Sequence, residues 1–146
     1  MRTVTVRRTI AAPIERVFDW ITDAANYRQV PGVLRAEVTR AAADGGVGTV
    51  REVTTAALKL TEEIVGYERP VRMDYLIRAS IPPLRHEGGS MRLRTTADGT
   101  EVTWVSTFEV GAPVFSGAVT RAFAPAVAFG FRTVLRTAER KLTGKG

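Results

Sequence analysis

Between residues 33 and 110 apolar side chains tend to recur at every second position, and from Val114 to Leu142 they recur at every third or fourth. The first period is that of half-buried strands and the second that of a helix. The change falls at Gly111-Ala112-Pro113. A helix of that length would span about 40 Å at ~1.5 Å per residue, enough to cross a whole sheet. Its inward stripe is predicted to be Val119, Phe123, Val127, Gly130, Val134 and Ala138. On the opposite face gather Phe115, Ala118, Ala122, Pro125 and Phe129, succeeded by Arg132, Arg136 and Arg140. Pro125, inside the pattern, predicts a kink or a split into two segments, because proline removes one helical hydrogen bond and crowds the preceding turn.

The strands before it can be counted. Residues 2–10 alternate, with Val4, Val6 and Ile10 against Thr3, Thr5 and Arg7. Pro13 suits the first position of a helix, and Ile14, Val17, Phe18 and Ile21 then form one apolar helical face. Asp23 can cap a second short helix running through Tyr27, which Pro31-Gly32 ends. Strands are predicted over 33–42, 48–56, 58–67, 71–79, 85–96 and 101–110. The turn signals between them are Asp44-Gly45-Gly46, Pro82-Pro83 and Asp98-Gly99. The expected architecture is α+β: a curved antiparallel sheet of seven strands, two short helices after the first strand, and a long C-terminal helix on the concave face.

Length and composition fit a single domain over residues 1–146. The chain is 45% hydrophobic and 25% charged, which argues against disorder. No apolar run approaches the ~18 residues of a membrane span. The opening MRTVTVRRTI has no hydrophobic signal core, and there is no cysteine, so a cytoplasmic location is expected. A formal charge of +6 admits anionic partners. The arginines stand singly along strands, however, without interleaved aromatics. A solvated basic surface is therefore expected rather than a nucleic-acid footprint.

Three segments carry a resemblance. TIAAPIERVFDWITDAANYRQV (residues 9–30) resembles the first strand and helix pair of the START/Bet v 1-like superfamily, and within it the bacterial polyketide cyclase/dehydrase and lipid-transport family, often called SRPBCC. IVGYERP (64–70) is similar to that family's strand ending in a proline turn. DGTEVTWVSTFEV (98–110), with the helix after it, is similar to its last strand and closing helix. The resemblance implies a helix-grip fold, with an internal cavity for a lipid, polyketide or similar hydrophobic molecule. It equally implies the alternative of a cyclase or aromatase that folds a reactive chain in the same cavity. These motifs mark the fold, and none is a catalytic signature.

Candidate site residues follow from the inferred inward face. Met73, Tyr75, Ile77, Met91, Trp104, Ser106, Phe108, Phe123 and Val127 are expected to line the cavity, with Tyr75, Ser106 and His86 as polar anchors. His86, in RHEGGSM, fits either a titratable group at the cavity mouth or a strand-end histidine paired with Glu87. Glu62 and Glu63 sit on opposite faces of one strand. Either a bulge intervenes or one carboxylate points inward, where Arg51 could pair with it. Glu63 and His86 are the candidate acid–base groups for a catalytic reading. One histidine and no cysteine make a zinc site unexpected, and no motif implies a cofactor. The apolar outer stripe of the helix fits a homodimer contact, or docking to a membrane or carrier protein with the arginine row facing anionic groups.

Overall fold

The computed structural model describes residues 1–112 and 114–144. Pro113, which closes the predicted break before the helix, lies outside the described residues. Strands β1 (Arg2–Ile10), β2 (Val33–Arg40), β3 (Val50–Thr55), β4 (Lys59–Glu68), β5 (Arg72–Ile81), β6 (Leu84–Thr96) and β7 (Gly99–Val110) form one sheet in the order β1-β7-β6-β5-β4-β3-β2. Every neighbouring pair is antiparallel. The meander β2–β7 follows from short turns, and β1 joins it at the far edge beside β7. The β6–β7 turn needs Gly99, which has φ 132°, and a Cβ there would run into the Ile10 carbonyl. Asp98 and Ala97 form the two-residue turn, so the hairpin closes one residue earlier than Asp98-Gly99 alone implied.

Between the two edge strands the chain crosses through α1 (Ile14–Thr22) and a 3₁₀ helix (Ala24–Gln29). Pro13 is the N-cap of α1, one position before the place the sequence assigned it. The Asp23 carboxylate accepts the Ala25 N–H (3.0 Å) and starts the 3₁₀ turn. Val17, Phe18 and Ile21 are fully buried, and the Phe18 ring meets the Tyr67 ring edge-on at 5.4 Å.

The last helix, α2 (Ser116–Thr143), is continuous, so the predicted split at Pro125 does not occur. Pro125 lies on the exposed side, where the carbonyl it leaves unbonded faces solvent. Thr120 Oγ1 accepts the Val110 N–H (2.9 Å) and fastens the start of α2 to the end of β7. Arg8 and Glu139, 2.7 Å apart, fasten its other end to β1. The helix runs back along β7, and its main contacts are with β1, β7 and α1. Strands β3–β5 are not among its main packing partners. The buried side of α2 includes Thr120, Ala124, Val134, Leu135 and Ala138, while Gly130 and Val119 of the predicted stripe are exposed. The opposite face, from Phe115 through Phe129 to Arg140, is exposed as predicted.

Candidate functional site: an apolar cavity with a buried polar cluster

α1 seals one end of the sheet with packed side chains. Toward the other end, the space between α2 and strands β3–β5 remains open, a cavity of about 320 Å³. β7 supplies one wall, because its strict alternation turns Trp104, Ser106 and Phe108 inward. α2 faces it with Phe123, Val127, Phe131 and Val134. Phe131 stacks on Trp104 at 4.0 Å and 6°, and Phe123 meets Phe108 edge-on at 6.4 Å. These pairs join helix to sheet while their remaining surface faces the cavity. Val53, Thr55, Leu58, Leu60 and Ile77 make the opposite wall.

Seven of the nine expected lining residues are brought together here: Tyr75, Ile77, Trp104, Ser106, Phe108, Phe123 and Val127. Met73 and Met91 are not among them. They pair across β5 and β6 and are wholly enclosed in the core under α1's end of the sheet. Sequence reasoning passed over Leu58, Leu60 and Phe131. Leu58 and Leu60 share strand parity with Glu62, and Phe131 stands four and eight residues after Val127 and Phe123, so the signal was there.

Parity also resolves the two glutamates. Val65 is an extra residue in β4, between the Ile64–Tyr75 and Gly66–Asp74 pairs, so Leu60, Glu62 and Ile64 point inward before it and Tyr67 after it. Glu62 is the inward carboxylate. It accepts from Arg51 Nε at 3.0 Å, and Arg51 Nη1 also donates to the Thr22 carbonyl (3.1 Å). Burial is the largest single influence on the Arg51 cation and works against it, but Glu62, Tyr27 and Tyr75 together outweigh it and hold the guanidinium above its ordinary pKa. The guanidinium lies over the Tyr27 ring, whose buried phenol is pushed up to about 12 by desolvation and donates to the Ile21 carbonyl (2.6 Å). Glu63, by contrast, points out to Arg78 (2.8 Å) and Arg40 (3.7 Å), so it is no acid or base of the cavity.

His86 is neither at the mouth nor paired with Glu87. β5 and β6 pair only from Arg72 to Tyr75, and a bulge at Glu87 shifts β6 against β7. The imidazole fills the resulting gap. Its Nδ1 accepts the Ile77 N–H (3.0 Å), its Nε2 is 3.0 Å from Ser106 Oγ, and its ring stacks on Tyr75 at 5.5 Å. An Nδ1 that accepts leaves the ring proton on Nε2, so His86 donates to Ser106 and cannot take its proton. Desolvation lowers the His86 pKa to about 4. Tyr75 is buried beside it; its phenol is pushed upward by desolvation and accepts from Trp104 Nε1 (2.9 Å).

The cavity opens between Pro31-Gly32, the β3–β4 turn at Ala57, and Ala126, Phe129 and Gly130 of α2, all exposed. Leu34, Ile81, Val114, Phe115 and Phe129 are each at least 65% exposed, and Phe129 borders the cavity. Among the described residues no group of three or more histidine, cysteine or carboxylate side chains is arranged to hold a metal. No helix among them is long and apolar enough to cross a membrane.

A family model described as polyketide cyclase / dehydrase and lipid transport matches residues 1–143. The chain belongs to this family. Solved structures share this arrangement of sheet and helix. TTHA0849 from Thermus thermophilus is similar at a TM-score of 0.81 with 19% identity, covering 98% of each chain. Ara h 8.0201 is similar at 0.75 with 15% identity over 99% of each chain. A START superfamily protein from Mycobacterium smegmatis is similar at 0.75 with 11% identity over 97% of each. At these identities the likeness concerns the helix-grip fold. Among curated proteins the sequence finds no match.

Proposed function

We propose that this member of the polyketide cyclase/dehydrase and lipid-transport family binds an apolar small molecule between α2 and strands β3–β5. The observation that carries the reading is a mainly apolar cavity of about 320 Å³ between α2 and the sheet, beside the packed core. That volume lies within the ~300–1,000 Å³ range of small-molecule sites, and a few buried polar groups in an apolar wall are what such sites use for orientation. The cyclase alternative needs a free acid or base inside. Here Glu62 is held by Arg51, and His86 is held between Ile77 and Ser106. Binding is therefore the reading these contacts support. Titration with the neutral apolar dye Nile red is expected to quench Trp104 emission saturably, while Trp20, buried on α1, reports little. The absence of saturable quenching by this and other neutral apolar dyes would count against a ligand cavity.

The exposed apolar outer face of α2, with Phe129 beside the cavity, suits docking to a lipid surface, with the row Arg132, Arg136 and Arg140 meeting anionic headgroups. Flotation with anionic liposomes at low salt is expected to carry the protein, and to carry less of Phe129→Ser. A wild type that stays at the bottom of the gradient would remove this part of the proposal.

A further inference from the structure

Two hydroxyl groups face the cavity, and each oxygen already accepts a hydrogen bond from behind. Trp104 Nε1–H donates to Tyr75 Oη over 2.9 Å. The Ile77 N–H donates to His86 Nδ1, and His86 Nε2–H then donates to Ser106 Oγ, each over 3.0 Å. Tyr75 and Ser106 are both 2% exposed and both line the cavity. Neither hydroxyl hydrogen has an acceptor among the described residues.

The sheet register puts the two residues on the same face, two strands apart. Tyr75, Gly89 and Ser106 fall in one cross-strand row on the inner face. The Tyr75 ring lies across the bare Gly89 backbone, and a Cβ on Gly89 would run into that ring. With no side chain between them, Tyr75 reaches toward β7 and its hydroxyl meets Trp104.

A hydroxyl that accepts from a buried N–H is polarised to donate more strongly, and a buried donor left without an acceptor is costly. The cavity therefore lacks an acceptor at this place. A carbonyl oxygen offers two lone pairs and brings no hydrogen needing a partner of its own. The cavity's charged pair, Arg51 and Glu62, is self-neutralising at 3.0 Å, so an ionic group finds no unpaired counter-charge there. We infer that the cavity takes an uncharged, largely apolar molecule with a carbonyl oxygen, to which the Tyr75 and Ser106 hydroxyls donate. The inference rests on the binding reading above and names the chemistry of its ligand.

A matched pair of probes tests it: 2-acetylnaphthalene and 2-ethylnaphthalene, alike in ring and size and different at the carbonyl. The ketone is expected to bind more tightly, by up to about tenfold for each hydrogen bond formed. Its bound infrared carbonyl stretch is expected below the frequency in hexane. Tyr75→Phe and Ser106→Ala should each remove part of that shift and part of the affinity difference. The wild-type frequency alone decides the matter should Tyr75→Phe, which strands the Trp104 N–H, fold poorly. Equal affinities together with a hexane-like carbonyl stretch would overturn the inference and leave the binding reading intact. Tighter binding of 2-naphthoate than of the ketone would overturn its uncharged part. Failure of both probes to bind would defeat the binding reading, and the inference with it.

Discussion

An imidazole that accepts a backbone N–H on Nδ1 cannot take up a proton there without giving up that bond. For His86 this sets a direction for the pH dependence of folding. Its pKa is about 4 in the folded chain and about 6.5 in an unfolded one. Above about pH 6.5 it is neutral in both states and contributes no slope. Between about 6.5 and 4 the unfolded chain holds more protons, so stability falls as the pH falls through that window. Asp19, held low by its hydrogen bond to Arg69, adds its own loss only at more acidic pH. Urea midpoints followed from pH 7 to 4 are expected to drop in the wild type and to drop less in His86→Gln. Equal slopes in the two proteins would contradict this account. The role of His86 was not legible in the sequence, since it depends on β5 and β6 parting after Tyr75 and on the bulge at Glu87. Glu62 was legible as one of two alternatives. The extra residue at Val65 selects between them, and bulges leave no reliable mark in a pattern of alternating valines and glutamates.

α2 shows how a helix can be read correctly as a helix and incorrectly as a face. Its extent was plain from the apolar period, and so was the exposed row from Phe115 to Arg140. Its rotation about its axis was not, because alanines and threonines fill so much of it. Thr120 and Thr137 are buried through bonds to the preceding turn, where a hydropathy pattern places no polar residue. Strands gave less trouble: β7 alternates without a fault from Gly99 to Val110, and each edge of the sheet falls within two residues of its expected limits. The two halves of α2 carry different duties, and substitutions should separate them. Leu135→Ala removes a fully buried side chain packed near α1 and is expected to cost about 2–5 kcal/mol. Phe129→Ser, at a side chain 66% exposed, is expected to change stability by about 0.5 kcal/mol or less. Urea unfolding of both variants checks the contrast, and comparable losses would mean that Phe129 packs as firmly as Leu135.

At the scale of the molecule, the cavity arises because one helix packed along β7 and β1 does not cover a sheet of seven strands. α2 follows β7 and β1, and the strands β3–β5 curve away from it. The sequence made the fold and most of the wall residues readable, but not the volume left between them, which depends on where the helix settles. Val127, half-buried on the cavity side of α2, is a point at which that volume can be reduced. Val127→Phe is expected to occupy the space, weakening dye binding at least several-fold while leaving the thermal midpoint unchanged or raised. A lowered midpoint would indicate strain in the wall and a cavity too narrow to accept the ring.

The partial cover of the sheet by α2 also divides the labour of the residues. Hairpin turns, the α1 seal and the Leu135 region hold the frame, whereas Leu58, Leu60, Ile77, Val127 and Phe131 border the void, Phe131 also joining helix to sheet through its stack on Trp104. Substitutions of Leu58, Leu60 or Val127 should therefore change the interior contour at less risk to folding than substitutions in the frame.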